Sequence, residues 1–458
     1  MNQILVPPAP SPRKTPLHLL ALLAALRNNP LEVWTEKHFE EPVVRDGLPF
    51  MPALVVSEPT AIRHVLLENS ANYRKDDLLL RILSPGLGSG LLTVEGDQWR
   101  RQRHAVAPIF ARRTIFAAAA EMQRAVDNLI GKWRETIDTE AVDAVRDVTH
   151  LTLEVLQRTV FSTGIERDPE EFREAMKVYF DTIGRIDPLD ALALPSFLPR
   201  PSRWPERAAL KFFRGAVNDI IERRRALIAR SPDAAPQDLL TLLLAAGDGE
   251  PGARLSDEEI RANVLTFIAA GHETTATSLA WSLFLLAQSD EWSTLIAEEA
   301  DRAAGNVDGD DPCAKLPVTR AVLEEALRLY PPIAAISRVA IDNDEIAGVH
   351  VERGTMVIVS PYVVHRHRKL WERPSEFDPR RFLGDGRAAI DRYAYIPFGG
   401  GSRVCIGSAF ALQEATLALA GILRAFRLRL AESCKVEPLL RITLKPNPGI
   451  WLHLERRI

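Results

Sequence analysis

The sequence has few cysteines, no large excess of either charge and no N-terminal hydrophobic run of membrane-spanning length. Its three cysteines among 458 residues cannot form a closed disulfide framework, which favours a reducing compartment such as the cytoplasm. With 57 Lys and Arg against 61 Asp and Glu, the net charge is −4, so we expect no nucleic acid partner. The apolar stretch at residues 17–26 falls well short of the about 20 residues that a bilayer requires, so we expect no membrane span.

Residues 1–30 differ from the rest of the chain in composition. Prolines at positions 7, 8, 10, 12 and 16 precede the apolar stretch, and the whole segment loosely resembles a secretory signal. However, Arg27-Asn28-Asn29-Pro30 stands where a cleavage site would be expected, which favours a Pro-rich leader followed by a short surface helix. No long flexible linker interrupts the remainder, so we predict that residues 31–458 form a single domain.

Helical patterning dominates the chain. Apolar residues recur at three- and four-residue spacing over residues 99–135, 140–163, 206–230, 256–288, 291–304, 316–329 and 407–426. Strand-like runs are short and lie at residues 53–56, 336–341, 356–360 and 450–454. The pattern predicts a mainly α fold (class α+β) with small sheets and one long central helix.

The predicted central helix, residues 256–288, is apolar on every side in its middle but contains a polar segment. A capping-box pattern at residues 256–259 marks its start. The segment Ala270-Gly271-His272-Glu273-Thr274 places an acid and a hydroxyl in apolar surroundings, where an unpaired carboxylate is costly. Two interpretations stay open from these residues alone. Either Gly271 allows close helix packing while Thr274 bonds back to the Ala270 carbonyl, or Glu273 and Thr274 form a buried site for proton delivery.

Cys405 lies in the glycine-rich segment 397–408, at the start of the last predicted helix. The consecutive glycines 399–401 indicate unusual backbone angles or the close approach of another group. Unpaired N–H groups at a helix start are expected to lower the pKa of the thiol, and the thiolate could be a nucleophile, a zinc ligand or an iron ligand. No second Cys or His lies at zinc-ligand spacing, and no local signature supports a partner His. The pattern therefore favours one axial bond to a flat cofactor pressed against the backbone.

Residues 398–407, which read FGGGSRVCIG, carry a specific resemblance. They fill every fixed position of the haem-ligand signature of the cytochrome P450 superfamily, and the sequence resembles those haem-thiolate monooxygenases, of the soluble bacterial type. Further segments resemble the motifs of the superfamily in the expected order: Trp99–Arg103, Ala270–Thr275, Glu325–Arg328 and Phe377–Phe382. The resemblance covers roughly residues 50–455 and implies the cytochrome P450 fold.

The resemblance implies a role for each motif. Cys405 would be the axial ligand of the iron in haem b, and Glu273 and Thr274 would be the catalytic pair that delivers protons. The other implied haem contacts are Trp99, Arg103, Ala270, Gly271, Arg338, Phe398, Gly399, Arg403 and Gly407. Three arginines in that set, with Trp99, would bind the propionates, because the planar guanidinium pairs with carboxylates. A structural cluster of Glu325, Arg328 and Arg381 would lie behind the haem.

The implied activity is the insertion of one oxygen atom of O2 into an apolar small molecule, by hydroxylation or epoxidation. By position, the pocket wall would come from residues 78–92, 176–205, 262–270, 333–336 and 448–450, which are mostly Leu, Ile, Ala and Phe. Only 53 residues follow Cys405, too few for a flavin or iron–sulfur module. Electrons are therefore expected from separate proteins, a ferredoxin and its reductase.

Two other functions stay open. A peroxide-driven or isomerising haem-thiolate enzyme would need no acid–alcohol pair, and a haem-based sensor would have no reason to carry Glu273 and Thr274 in a buried helix. The basic run at residues 365–369 is predicted to be solvated surface, with docking of an acidic electron donor as the second interpretation. His104 is predicted to serve packing or to lie near a propionate rather than to bind iron.

Overall fold

The computed structural model describes residues 4–48, 51–137, 140–162, 175, 178, 204–246, 254–304, 311–432 and 435–457. Helices account for most of this part of the chain. They are α1 (Leu19–Asn28), α2 (Pro59–Arg63), α3 (Asp77–Leu87), α4 (Gly96–Val106), α5 (Arg112–Ala117), α6 (Ala119–Glu135), α7 (Ala144–Leu156), α8 (Trp204–Arg230), α9 (Leu239–Leu244), α10 (Asp257–Leu286), α11 (Asp290–Ala303), α12 (Pro317–Leu329), α13 (Pro361–Val364), α14 (Asp385–Ala389) and α15 (Ser408–Ala425).

The strands are short and form small sheets. They are β1 (Val43–Leu48), β2 (Met51–Val56), β3 (Tyr73–Arg74), β4 (Val142–Asp143), β5 (Ile336–Ala340), β6 (Asp344–Ile346), β7 (Val349–Val351), β8 (Met356–Val359), β9 (Phe426–Leu430), β10 (Glu437–Leu440), β11 (Leu444–Asn447) and β12 (Trp451–Arg456). One sheet has the order β1-β2-β8-β5-β3, another β4-β12-β9, and two hairpins pair β6 with β7 and β10 with β11. Strands β2 and β8 run parallel, and the other pairs are antiparallel.

The long central helix is confirmed as α10. Its start has the predicted capping box, in which Ser256 Oγ accepts the Glu259 N–H at 3.2 Å and Glu259 Oε2 accepts the Ser256 N–H at 2.9 Å. Its 30 residues span about 45 Å. Helix α10 packs against α7, α8, α12 and α15, which explains why its apolar residues face every direction. The predicted mainly α fold with small sheets is confirmed.

The helix predicted over residues 99–135 is divided into three. Helix α4 ends at Val106, a turn of 3₁₀ helix covers Ala107–Phe110, and α5 and α6 follow. Pro108 lies in the turn and has no N–H to continue the hydrogen-bond ladder of α4, which accounts for the break. The periodicity of apolar residues continues across the break because all three pieces face the same core.

The predicted strands at residues 53–56, 336–341, 356–360 and 450–454 correspond to β2, β5, β8 and β12 with bounds shifted by one or two residues. Strands β3 and β4 have two residues each, too short for an alternation of side chains to be visible in the sequence. The helix predicted over 140–163 ends earlier, because a single π-helical turn, Gln157–Phe161, follows α7.

The N-terminal leader packs against the large core. The Leu5 carbonyl accepts the Phe377 N–H at 2.9 Å, and the Pro8 carbonyl accepts the Tyr330 hydroxyl at 2.7 Å. Helix α1 lies where the short surface helix was predicted, and Ala25 is its buried residue. The division of the chain at residue 30 stays a prediction. In the part of the chain that the structure describes, no helix combines the length and apolar character needed to cross a membrane.

The prediction of a solvated surface at residues 365–369 was wrong for the first three. His365 is fully buried: its Nδ1 lies 3.2 Å from the Arg328 carbonyl oxygen, and its Nε2 accepts the Ile396 N–H at 2.8 Å. The buried Arg366 guanidinium lies 4.1 Å from the centre of the Tyr362 ring. Backbone partners and aromatic rings replace water here, a compensation that the spacing of charges in the sequence does not reveal.

Candidate active site

The loop before α15 is closed tightly around Cys405. The Phe398 carbonyl accepts the Cys405 N–H at 3.0 Å, which brings the two ends of the loop together. Gly399 and Gly401 have φ of +73° and +67°, the left-handed region that favours glycine. A Cβ at Gly401 would lie 1.8 Å from the Leu66 carbonyl oxygen, so only glycine fits against this neighbouring segment. The run of glycines thus serves both a turn and a close backbone approach.

The Cys405 thiol is accessible, yet it lies deep in the protein. Its side chain is exposed, while burial raises the pKa of the thiol, so it faces a space inside the molecule. The sequence predicted a lowered pKa, but the effect of burial exceeds the lowering by the Gly407 N–H and by the positive charge of Arg103, so the net shift of the thiol pKa is upward. The thiolate therefore requires a further positive partner, and a coordinated metal ion deprotonates a thiol outright.

Two of the predicted propionate contacts lie together beside this space. The Arg403 guanidinium lies 4.4 Å from the centre of the Trp99 ring, and its nearest acid is Glu95, at 3.8 Å from Nη2. Burial and the positive charge of Arg338 lower the pKa of Arg403 to about 10, although Glu95 opposes the shift. Trp99, Arg338 and Arg403 are therefore neighbours, while their contact with the propionates stays a prediction. Arg103 lies close enough to Cys405 for their charges to interact.

Lys75 belongs to the same cluster and was missed by the sequence analysis. Its ammonium group donates to the carbonyls of Leu92 and Val94, the latter at 3.2 Å. Burial, followed by the positive charges of Arg403 and Arg338, lowers the pKa of Lys75 to about 7. In the sequence it lies among charges of both signs, Arg74-Lys75-Asp76-Asp77, which is typical of a solvated surface, so no local signal marks it.

The middle of helix α10 is exposed on one side, and we call the space beside Ala270 the opening of α10. Ala270 is exposed and Ala269 and Thr274 are half-buried, whereas Ile268 and Thr275 are buried. Thr274 Oγ1 donates to the Ala270 carbonyl at 2.6 Å, which confirms the predicted bond along the helix. The hydroxyl has only one proton, so its oxygen can still accept a hydrogen bond from a donor in the space beside Ala270.

Gly271 serves the packing of α10 on α7. A Cβ at this position would lie 3.3 Å from Leu156 Cδ2, and the His272 carbonyl accepts the Thr152 hydroxyl at 3.2 Å. The close packing that the sequence left open for Gly271 is therefore observed, while its contact with a cofactor stays a prediction.

The side chains of Glu273 and Thr274 contact different parts of the chain. Its Oε1 accepts the hydroxyl of Thr443, in the loop between β10 and β11, at 2.7 Å. Thr443 is 170 residues away in sequence and was not predicted as part of the site. Neighbouring residues on a helix point in different directions, so Glu273 and Thr274 do not face each other.

Glu325, Arg328 and Arg381 lie together in the structure, while their place behind the haem stays a prediction. Glu325 and Arg328 are fully buried, and both carboxylate oxygens of Glu325 accept from Arg328 at 2.7 Å. Arg381 Nε lies 3.6 Å from Glu325 Oε1. Arg328 also donates to the carbonyls of Pro374 and Glu376, so this buried cation is fully hydrogen-bonded.

The segments around the opening are joined by aromatic and polar contacts. The Phe110 ring packs edge-on against Phe267 of α10 with centroids 5.3 Å apart, and a Cβ at Gly407 would lie 3.9 Å from Phe110 Cε1. On the other side, the Leu91 N–H donates to Asn263 Oδ1 at 3.0 Å. The predicted wall segments 78–92 and 262–270 are therefore in contact. The wall predicted at 176–205 lies almost wholly outside the described residues.

A family model for cytochrome P450 matches residues 7–453. The chain belongs to the cytochrome P450 family. Among its relatives, the cyclooctatin synthase of Streptomyces melanosporofaciens is 33% identical, with 87% of this chain and 85% of the relative covered. The pentalenene oxygenase of Streptomyces avermitilis is also 33% identical, with 88% of each covered. A human ultra-long-chain fatty acid omega-hydroxylase is 31% identical, with 89% of this chain and 80% of the relative covered.

The fold of this cytochrome P450 agrees with a solved structure. The crystal structure of the cytochrome P450DA heme domain superposes with a TM-score of 0.83 at 26% identity, and 98% of each chain is covered. The protein is a cytochrome P450 monooxygenase, an oxidoreductase that works with haem, O2, an electron donor and a small-molecule substrate.

The residues around the opening fit a haem group. Cys405 offers one accessible sulfur whose thiolate form needs a positive partner. Lys75, Arg338 and Arg403 form a desolvated group of cations with Glu95 as the acid that stabilises them, which leaves positive charge for two carboxylates. Gly400 and Gly401 pack closely on Tyr393 and Leu66, which fixes the loop that carries Cys405.

Proposed function

We propose that this cytochrome P450 inserts one oxygen atom of O2 into an apolar small molecule and receives its electrons from a separate protein. The observation that carries the proposal is the accessible Cys405 thiol in a closed glycine loop, accompanied by a desolvated group of cations. Cys405 would be the iron ligand of haem b, and Arg103, Arg338, Arg403, Trp99 and Lys75 would hold its propionates. A bound haem would supply the binding and reduction of O2, and a thiolate ligand would favour cleavage of the O–O bond.

The protein's own residues control water and protons in this proposal. Thr274 donates its hydroxyl proton to the Ala270 carbonyl. Its oxygen would therefore accept a hydrogen bond from a water in the opening of α10. Glu273, on the adjacent face of the helix, would exchange protons with that water as a general acid and base. The apolar residues on either side, such as Ile268, exclude bulk water and keep the pathway to a few ordered molecules.

An apolar substrate is supported by the composition of the predicted wall segments and by the relatives. Pentalenene and ultra-long-chain fatty acids, after which two relatives are named, are both largely apolar molecules. Leu92 and Ile333, in two of the wall segments, are large hydrophobic residues with 40% and 38% of their surface exposed. We propose a terpenoid hydrocarbon or a fatty acid as the class to test first.

A ferredoxin with its reductase is the proposed electron source, and the cytoplasm the proposed compartment. The test is reconstitution: the haem-loaded protein is mixed with NADPH, ferredoxin, ferredoxin reductase and a panel of terpenoids and fatty acids, and products are measured by mass spectrometry. We expect an added oxygen atom that derives from labelled O2, and no product when the two partner proteins are left out. Turnover with NADPH alone, or with peroxide but not with the partners, would contradict the proposal.

A further inference from the structure

We propose that Thr443 is a positioning residue that holds the Glu273 carboxylate for proton transfer, an inference that rests on the function proposed above. Thr443 lies in the three-residue loop between β10 and β11, and 1% of its surface is exposed. Its hydroxyl donates to Glu273 Oε1 at 2.7 Å. A hydroxyl bonded to a carboxylate at this distance forms a charge-assisted hydrogen bond, which fixes the rotamer of the acid.

The loop that carries Thr443 is attached to the same helix as Glu273. The carbonyl of the next residue, Leu444, accepts the indole N–H of Trp281 at 2.8 Å. Trp281 is also on α10, about two helical turns beyond Glu273. The Leu444 N–H donates to the Pro332 carbonyl at 2.9 Å, and Leu444 is fully buried. These contacts of Leu444 restrain the position of Thr443 relative to α10 and keep its hydroxyl close to the Glu273 carboxylate.

The outer side of the same hairpin is attached to the N-terminal segment. Asn29 accepts the Leu440 N–H at 3.1 Å through Oδ1 and donates to the Pro438 carbonyl at 3.0 Å through Nδ2. Arg441 donates to the Asn28 carbonyl at 2.7 Å. The hairpin is thus fixed from both sides, by α10 within the protein and by the end of α1 at the surface.

The position of this bond bears on chemistry because Glu273 and Thr274 point to different faces of α10. A glutamate side chain has three rotatable bonds, and only some of its positions would be within reach of a water beside Thr274. The Thr443 hydroxyl, bonded to Oε1, favours one of these positions. A proton donor held in place before the reaction avoids the cost of ordering it during the reaction.

The test separates positioning from simple stabilisation with three variants. Thr443→Val removes the hydroxyl at constant shape, Thr443→Ser restores it, and Thr443→Ala removes it with a smaller side chain in case the valine variant does not fold. Thr60→Val is the matched control, because the Thr60 hydroxyl donates to Glu58 Oε1 at 2.6 Å at an exposed position. Each variant is measured for product per electron pair, solvent isotope effect, KM and the haem spectrum.

We expect Thr443→Val to lower product per electron pair by roughly three- to tenfold. We also expect a larger solvent isotope effect, an unchanged KM and an unchanged haem spectrum, with most of the coupling restored in Thr443→Ser. The Thr60→Val variant should behave as wild type. A purely structural role would lower haem content or raise KM instead, and would leave the isotope effect unchanged.

A second readout needs no turnover. In thermal unfolding of Thr443→Val, Glu273→Gln and the double variant, the shift in Tm of the double variant should be smaller than the two single shifts added together. Additive shifts, or wild-type coupling in both Thr443→Val and Thr443→Ala, would overturn the inference. If wild type forms no product, the proposed function fails and this inference with it, whereas normal coupling in wild type beside unaffected Thr443 variants overturns this inference alone.

Discussion

At the scale of single residues, the site is defined by charged side chains that are shielded from water. Lys75, Arg338 and Arg403 repel one another in a region shielded from water, and the pKa of each is lowered by burial first of all. Such an arrangement is costly unless an anion is present, because burial disfavours the charged form of a base. The same reasoning applies with opposite sign to Cys405, whose thiolate lacks a strong positive partner in the protein itself. A haem group has two propionate carboxylates for the buried cations and an iron cation for the Cys405 thiolate, so it satisfies both requirements.

The first prediction concerns Thr274. Thr274→Ala should leave folding nearly unchanged, because a hydroxyl bonded to the carbonyl four residues earlier contributes little to helix stability. It should lower product per NADPH consumed by roughly tenfold, since the water that passes on the proton loses its partner. NADPH oxidation and product formation are measured in the same assay. Ser282→Ala is the control, because Ser282 makes the same type of bond at 2.8 Å in the buried part of α10, and full coupling in Thr274→Ala would contradict the assignment.

The second prediction concerns pH and His272. Burial, with a smaller effect of the neighbouring His150, lowers the pKa of His272 to about 4 from its usual 6.5. The unfolded chain therefore binds a proton that the folded protein excludes, so stability is complete above the unfolded pKa and is lost as pH falls toward the folded one. The expected loss between pH 7 and pH 5 is about 2 kcal/mol from this residue.

The matching variant is His272→Leu, which removes the titrating group and keeps an apolar side chain of similar size. Its unfolding free energy, measured by denaturant titration at pH 7 and at pH 5, should fall by about 2 kcal/mol less than that of wild type. An identical pH dependence in the two proteins would show that His272 is not the group responsible.

At the scale of elements, short segments with unusual backbone place the chemistry. The π-helical turn His64–Glu68 supplies the Leu66 carbonyl against which the Cys405 loop closes. The hairpin β10–β11 supplies Thr443, and the opening in α10 supplies the accessible Ala270. None of these features has a long periodic pattern, whereas the helices that support them do.

The third prediction tests the closed loop. Gly401→Ala should prevent normal closure, because its Cβ would lie 1.8 Å from the Leu66 carbonyl oxygen in addition to the strain of φ +67°. Gly348→Ala is the control, since Gly348 has φ +77° with nothing within 4 Å of an added Cβ. The strain of a positive φ alone costs about 1–2 kcal/mol, so the control should fold and bind haem with modestly reduced stability. Gly401→Ala should lose most of its haem, and equal haem content in the two variants would contradict this account of the loop.

The same contrast explains how much of the site could be predicted from the sequence. The long helices follow from the spacing of apolar residues and Cys405 from its glycine-rich loop. Glu325 with Arg328 and Trp99 with Arg403 follow from the resemblance to motifs of the family. Lys75 and Thr443 could not be found, because their importance comes from contacts between distant segments and their local sequences are ordinary. The buried His365 was mistaken for surface for the same reason: its partners are backbone groups of other segments.

At the scale of the whole molecule, the described elements bring the residues of the candidate site together. Helix α10 crosses the protein, the Cys405 loop and the cationic group lie in neighbouring elements, and the leader is bonded to the core through Leu5 and Pro8. The agreement with a solved haem domain over 98% of both chains shows that this arrangement is that of the cytochrome P450 fold. The central claim is that Cys405 supplies the thiolate that makes this fold a monooxygenase.

The most direct test of that claim is the carbon monoxide difference spectrum of the reduced, haem-loaded protein. Wild type should show the band of a thiolate-ligated haem, and Cys405→Ser should lose it while still folding. Cys313→Ser is the control, because Cys313 is the other described cysteine and burial raises the pKa of its thiol to about 12, so that it stays protonated. The account predicts that the thiolate band is retained in Cys313→Ser and absent in Cys405→Ser. A thiolate band that persists in Cys405→Ser would contradict it.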